Sequence, residues 1–198
     1  MHADDERDDK PEGTEQQRPE GIIDRLSFKS RFVFLFGDIN HTVARTTCER
    51  LVAMAAQSDA PIRVLISSPG GHVESGDAIH DMIRFISAPV TTIGTGWVAS
   101  AGTHIFLAAD KERRLCLPNT RFMIHQPLGG AGGPATDIAI QAKEILRTRE
   151  RIARTIAKQT GKAYDKVLAD MERDFWMSPK EAIEYGIVSK IIDSYKDL

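Results

Sequence analysis

The chain has 198 residues, a formal net charge of −2 and 41% hydrophobic residues, which suits one domain with a sizeable core. No apolar run is long enough to span a bilayer, and no basic cluster is interleaved with aromatics, so neither a membrane span nor a nucleic-acid partner is expected. Two cysteines without CxxC spacing, Cys48 and Cys116, read as buried free thiols.

The first twenty residues carry eight acids against three bases and no large apolar residue after Met1. Such a segment cannot bury enough surface to offset its ordering entropy, so 1–20 is expected to be a disordered acidic tail and 21–198 a single domain. The tail lacks the basic start and apolar core of a signal peptide, which points to a cytoplasmic protein.

Arg31-Phe32-Val33-Phe34-Leu35-Phe36, closed by Gly37, predicts a strand buried on both faces. Helical spacing of Ala44, Cys48, Leu51, Val52 and Ala55 predicts a helix over 42–57, and a second strand follows over 62–67. Strand, helix, strand makes a βαβ unit and favours a parallel sheet. The second strand runs into Ser68-Pro69-Gly70-Gly71, where paired glycines let backbone N–H groups approach a ligand or simply make a tight turn. A helix over 73–86 comes next, with Ile79, Met82, Ile83 and Ile86 as its buried stripe.

The strand 90–94 then leads into Thr95-Gly96-Trp97-Val98-Ala99-Ser100-Ala101-Gly102, a small-residue turn before a helical run. That arrangement lifts one side chain, Ser100, out of a packed core; Ala-Ser-Ala-Gly is equally the look of close helix packing. A serine nucleophile needs a base within hydrogen-bond reach and a third group to orient that base. His125, at the end of the strand 119–125, and the carboxylates of Glu172-Arg173-Asp174 are candidates. His104, one turn after Ser100, is the rival base, although its apolar flanks Ile105, Phe106 and Leu107 suit a packed residue better.

A glycine-rich segment from Leu128 to Pro134 precedes the longest predicted helix, 137–160, with Ile138, Ala142, Ile145, Ile152 and Ile156 on one stripe and Gly161 as its stop. At 1.5 Å per residue it spans roughly 36 Å, so it should protrude and meet a partner. Its charges read as a solvated face, apart from Arg149, which falls on the stripe. A helix over 164–172 precedes Asp174, Ser178-Pro179-Lys180-Glu181 is a capping box opening a short helix that ends at Gly186, and 187–192 closes as a strand. The remaining histidines share no ligand spacing, so no structural metal is expected.

Ser68-Pro69-Gly70-Gly71, Ala99-Ser100-Ala101-Gly102, Met123-Ile124-His125-Gln126-Pro127-Leu128-Gly129-Gly130-Ala131 and Glu172-Arg173-Asp174 resemble the proteolytic subunit of the Clp protease. The resemblance runs from about Phe32 to Ile192. It implies an α/β ClpP/crotonase-like fold of stacked βαβ units with a protruding handle near 126–160, assembled as two stacked heptamers around a proteolytic chamber. It implies a serine endopeptidase with Ser100, His125 and Asp174 as triad and the N–H groups of Gly70 and Ala101 as oxyanion hole. Gly71, Gln126, Pro127 and Leu128 would bind the polypeptide substrate as an added strand, and Asp137 and Arg173 would pair between rings. No Gly-x-x-x-x-Gly-Lys-Ser/Thr loop is present, so this subunit is expected to hold no cofactor and to leave ATP to a partner AAA+ unfoldase.

The chain departs from the usual pattern in four places. Ala101 stands where typical members have methionine, and Arg63-Val64-Leu65 replaces a Tyr-x-Tyr that helps form the chaperone-docking cleft. Gly21 to Phe28 replaces the usual axial-pore segment, and Pro134 replaces a handle glutamine. Two rival readings remain: a regulatory subunit of a mixed ring, and an acyl-CoA enzyme of the crotonase type.

Overall fold

The computed structural model describes residues 19–198. The predicted tail therefore lies outside the described residues, except that Pro19 opens α1 (Pro19–Lys29). Periodicity does not reveal this helix, because Ile22, Ile23 and Leu26 all stay exposed and no buried stripe marks it.

The first βαβ unit forms as its sequence predicts. β1 (Phe32–Phe36), α2 (His41–Gln57) and β2 (Ile62–Ser68) follow in order, with the two strands paired in parallel. The Asn40 side chain accepts from the Val43 N–H and caps α2. One expectation fails here: Val33 and Leu35 are buried, but Phe34 and Phe36 are each 52% exposed. Val33 and Leu35 face the core, and within one chain no full layer covers the opposite face, where Phe34 and Phe36 point.

After α3 (Val73–Phe85), β3 (Val90–Ala99) pairs in parallel with β2 and runs five residues beyond its predicted end. The extra length gives β3 two sets of neighbours. Its lower half, Thr92 to Gly94, pairs with β4 (Arg114–Cys116), which in turn pairs with β7 (Lys190–Ile191). Its upper half, Trp97 to Ala99, pairs with β5 (Arg121–Ile124). β6 (Phe175–Met177) then runs antiparallel to β5. Ile62, Ile66, Ile79, Ile105, Phe106 and Phe122 pack the core beneath, with the Phe106 and Phe122 rings edge to face at 5.2 Å.

α4 (Ala101–Phe106) follows β3. α5 (Ala135–Thr160) is the predicted long helix, and Gly161 ends it in the left-handed conformation at φ 75°. Only Ala153, Ile156 and Thr160 are buried in α5, and residues 135–144 are exposed throughout. The predicted stripe is thus half covered, with Ile138 in solvent, and beside it Ile140 and Leu146, which the stripe does not include, are exposed as well. α6 (Tyr164–Asp170) and α7 (Pro179–Tyr185) complete the chain, α7 with the capping box between Ser178 and Glu181. Cys116 is buried as expected, whereas Cys48 is only half-buried. Among the described residues no helix is long and apolar enough to cross a membrane.

Candidate active site

Strand register brings three distant side chains together. Ala99 of β3 sits opposite Met123 of β5, so Ser100 and His125 emerge beyond the same ends of two paired strands. Ile124 sits opposite Phe175 in the antiparallel pair, which puts Asp174 across from His125. The Ser100 hydroxyl donates to His125 Nε2 at 2.8 Å, and His125 Nδ1–H donates to Asp174 Oδ1 at 3.0 Å. The His125 side chain is 14% exposed and that of Asp174 is 63% exposed. The rival base, His104, is turned elsewhere: its Nε2 lies 3.0 Å from Asp77 Oδ1.

Ser100 is the N-cap of α4 with φ 55° and ψ −121°, a backbone conformation that residues with a Cβ rarely adopt. Such strain persists where neighbours over-determine it. The Ser100 N–H donates to Met123 O at 3.0 Å, the His104 N–H donates to Ser100 O at 3.1 Å, and the Thr103 hydroxyl lies 2.8 Å from both Val98 O and Met123 O.

Facing the serine is the predicted glycine pair. Gly70 has φ +104°, and an added Cβ would stand 2.6 Å from Ser100 Cβ and 3.1 Å from Ala101 N. Gly71 has φ +145°, and its added Cβ would meet Ile39 O at 2.3 Å. Ile39 fixes the loop by donating its N–H to Gly70 O and accepting the His72 N–H, both at 2.8 Å. The Gly70 N–H donates to Ser68 Oγ at 3.1 Å, a contact that sequence reasoning missed. Ala101 opens α4, so its N–H lies in the first turn, where no intrahelical acceptor exists.

A narrow cavity of about 30 Å³ lies beside Ser100, with Val73, Ala101, His104, Pro127 and Ile152 among its walls. Gly71, Pro127 and Leu128 border an adjoining groove with His72 and Glu74. Gln126 faces the other way: its N–H donates to Met171 O at 2.7 Å and its Nε2 to Glu172 O at 3.0 Å, bracing the loop that carries Asp174. Arg149, the charged residue on the α5 stripe, meets the same loop through Glu172 Oε2 at 2.9 Å. Asp137 and Arg173 are exposed and do not meet within one chain.

A serine, a histidine and a carboxylate in hydrogen-bonded series is the working arrangement of serine-type hydrolases, and that sets the class of protein. The comparisons narrow it. The chain belongs to the Clp protease family, whose sequence profile matches residues 14–195. It is 53% identical to the ATP-dependent Clp protease proteolytic subunit 2 of Gluconobacter oxydans, over 96% of this chain and 91% of that protein. It is 57% identical to the proteolytic subunit 3 of Rhizobium johnstonii, over 86% of this chain and 88% of that protein. Among solved structures, ClpP1 from Listeria monocytogenes superposes with a TM-score of 0.80 at 48% identity, covering 89% of this chain and 99% of that one. A mutant of the same protein gives 0.83 at 49% identity, covering 88% and 98%. The fold is accordingly the α/β ClpP fold, and the protein is a serine-type endopeptidase.

Proposed function

We propose that Ser100, His125 and Asp174 form the catalytic triad of a Clp proteolytic subunit that cleaves unfolded polypeptides. The observation that carries this reading is the series of two hydrogen bonds, at 2.8 Å and 3.0 Å, linking the three residues. His125 takes the proton from Ser100 as Oγ attacks the scissile carbonyl, and returns it to the leaving amine. Water then attacks the acyl-enzyme with His125 again as base. Asp174 holds the proton on Nδ1, so that Nε2 is free to accept. The N–H groups of Gly70 and Ala101 converge on the carbonyl oxygen, and each such donor is worth about 3 kcal/mol in the transition state. The oxyanion competes with Ser68 Oγ for the Gly70 N–H.

Substrate enters as an extended strand between Gly70-Gly71 and 126–128, so main-chain bonds supply affinity with little sequence preference. The side chain on its acyl side fills the cavity between Ala101 and Ile152. The uncovered stripe of α5, with Asp137 and Arg173 nearby in the assembly, packs against a second ring in a particle of two stacked heptamers. The relatives are named as subunits of an ATP-dependent protease, and this chain has no ATP-binding loop of its own; a AAA+ unfoldase therefore feeds the chamber in the cytoplasm.

Labelling the purified protein with a fluorophosphonate, alongside Ser100→Ala and with the particle mass recorded, tests this. Stoichiometric labelling lost in the variant is the expected result. A full assembly that takes no label would overturn the peptidase reading in favour of a regulatory ring subunit.

A further inference from the structure

The cavity wall holds one buried histidine that the proposed chemistry does not use. His104 is 5% exposed, one helical turn after Ser100. Its Nε2 lies 3.0 Å from Asp77 Oδ1 of α3, within hydrogen-bond reach. Asp77 in turn accepts both terminal nitrogens of Arg151 from α5, at 2.6 Å and 2.7 Å. On its other side the His104 ring stacks on His80 with centroids 4.4 Å apart and planes 13° from parallel. Neither His104 Nδ1 nor His80 Nε2 has a partner among the described residues. The one directional side-chain anchor of His104 is therefore Asp77.

Burial alone would push the Asp77 carboxyl up, but the hydrogen bonds from His104 and Arg151 and the Arg151 charge outweigh it and hold it well below the usual carboxylate range. A carboxylate bound on both oxygens by a planar guanidinium is fixed in angle as well as distance. The Thr103 hydroxyl, 2.8 Å from both Val98 O and Met123 O, ties α4 to the sheet on one side, and the apolar contacts on its other side fix no angle. α4 has six residues, and its N-cap makes no side-chain capping bond. Its orientation nonetheless sets where the strained Ser100 backbone directs Oγ.

We propose that Asp77 and Arg151 are positioning residues for the nucleophile: through His104 they lock α4, and with it Ser100, in line with His125. The chain of contacts runs Arg151, Asp77, the His104 ring, then the His104 N–H to Ser100 O at 3.1 Å. Nothing in this chain touches substrate except the edge of His104, so the effect should fall on turnover and not on binding. The proposal rests on the triad reading above.

The test uses the full-length assembled protein and the variants Asp77→Ala, Asp77→Asn, Arg151→Met, His104→Phe and the double variant Asp77→Ala/His104→Phe. Competent sites are counted by fluorophosphonate end-point labelling, and kcat per counted site and KM are measured on a short fluorogenic peptide. For Asp77→Ala and Arg151→Met we expect kcat per site to fall about tenfold to a hundredfold with KM unchanged, since displacing a catalytic group by 1 Å can cost on the order of a hundredfold. Asp77→Asn, which still accepts from His104, should recover part of the loss. The double variant should be no slower than Asp77→Ala alone, because both changes cut the same link. Fewer competent sites working at the wild-type rate would make the cluster purely structural and overturn the proposal. So would losses confined to KM, or additive losses in the double variant. Wild type that takes no label removes the triad reading, whereas labelled wild type with wild-type-like variants removes only the positioning role.

Discussion

Gly70 lies so close to Ser100 that an added Cβ would come within 2.6 Å of the serine's own. The glycine loop and Ser100 are thus one packed unit, and the Gly70 φ of +104° denies the position to L side chains on a second ground. Gly70→Ala must displace either Ser100 or the Gly70 N–H that the proposed mechanism gives to the oxyanion. We expect the fluorophosphonate labelling rate to fall on the order of a hundredfold or more, as it does when an oxyanion donor is lost. Labelling at the wild-type rate would mean that the loop stands away from the serine in the working enzyme.

Asp174 is the most exposed of the three hydrogen-bonded residues Ser100, His125 and Asp174. Removing the charge from a buried triad aspartate while keeping its shape costs about ten-thousandfold in kcat. Here the carboxylate is 63% exposed, so water already weakens its hold on the imidazole. A smaller loss, on the order of a hundredfold, is expected for Asp174→Asn. The measurement is kcat on a short peptide with the particle mass unchanged. An unaffected kcat would show that the bracing of the loop through Gln126 and Glu172 is sufficient to orient His125.

Much of this arrangement is legible in the sequence, for physical reasons that can be named. α2, β2 and α3 follow from apolar spacing closed by glycine and proline, and the α7 cap follows from Ser178 and Glu181. Ser100 stands out because a small-residue turn joins a strand to a helix. The pairing of His125 with Asp174 is a different matter. It depends on β6, three residues without visible alternation, whose antiparallel register no local pattern encodes. Phe34 and Phe36 mislead because an apolar run does not say whether a second layer covers both faces of the strand. Asp77 and Arg151 look like ordinary helix-surface charges, since a sequence separation of 74 hides their contact.

His80 makes the protein's stability depend on pH in a definite direction. Burial, and after it the neighbouring His104, hold its imidazole below the ordinary histidine value, with Asp81 pulling the other way. The folded state then binds a proton less readily than the unfolded chain. Stability present above about pH 6.5 is lost as the pH falls below that value. Asp77, whose carboxyl is held low in the fold, adds a second loss below the ordinary carboxylate range, of the same sign. His80→Phe keeps a ring against His104 and cannot titrate. Its Tm should fall less between pH 7 and pH 5 than that of the wild type. Parallel curves would show that the His80 ring is solvated in the assembly.

Arg114 carries the last prediction. It is 1% exposed and hydrogen-bonds no carboxylate, although the charges of Asp110 and Glu112 act on it. Its Nε donates to Ala109 O at 2.8 Å, and its terminal nitrogens donate to Gln159 O at 2.9 Å, Gln159 Oε1 at 2.5 Å and Gly186 O at 3.5 Å. Burial pushes the guanidinium down to about 10, so it stays charged and is satisfied by carbonyls alone. These bonds join β4 to the end of α5 and to the turn after α7. Lysine offers one point charge on a flexible stem and cannot copy a planar fork that serves four acceptors. Arg114→Lys leaves at least one buried carbonyl unpaired, at a cost of about 2–4 kcal/mol in unfolding free energy. Denaturant unfolding measures that loss directly. Because none of the partners of Arg114 touches Ser100, His125 or Asp174, kcat per competent site should stay at the wild-type value. A fall in kcat would mean that the anchored end of α5 also governs the site, beyond the link through Arg151.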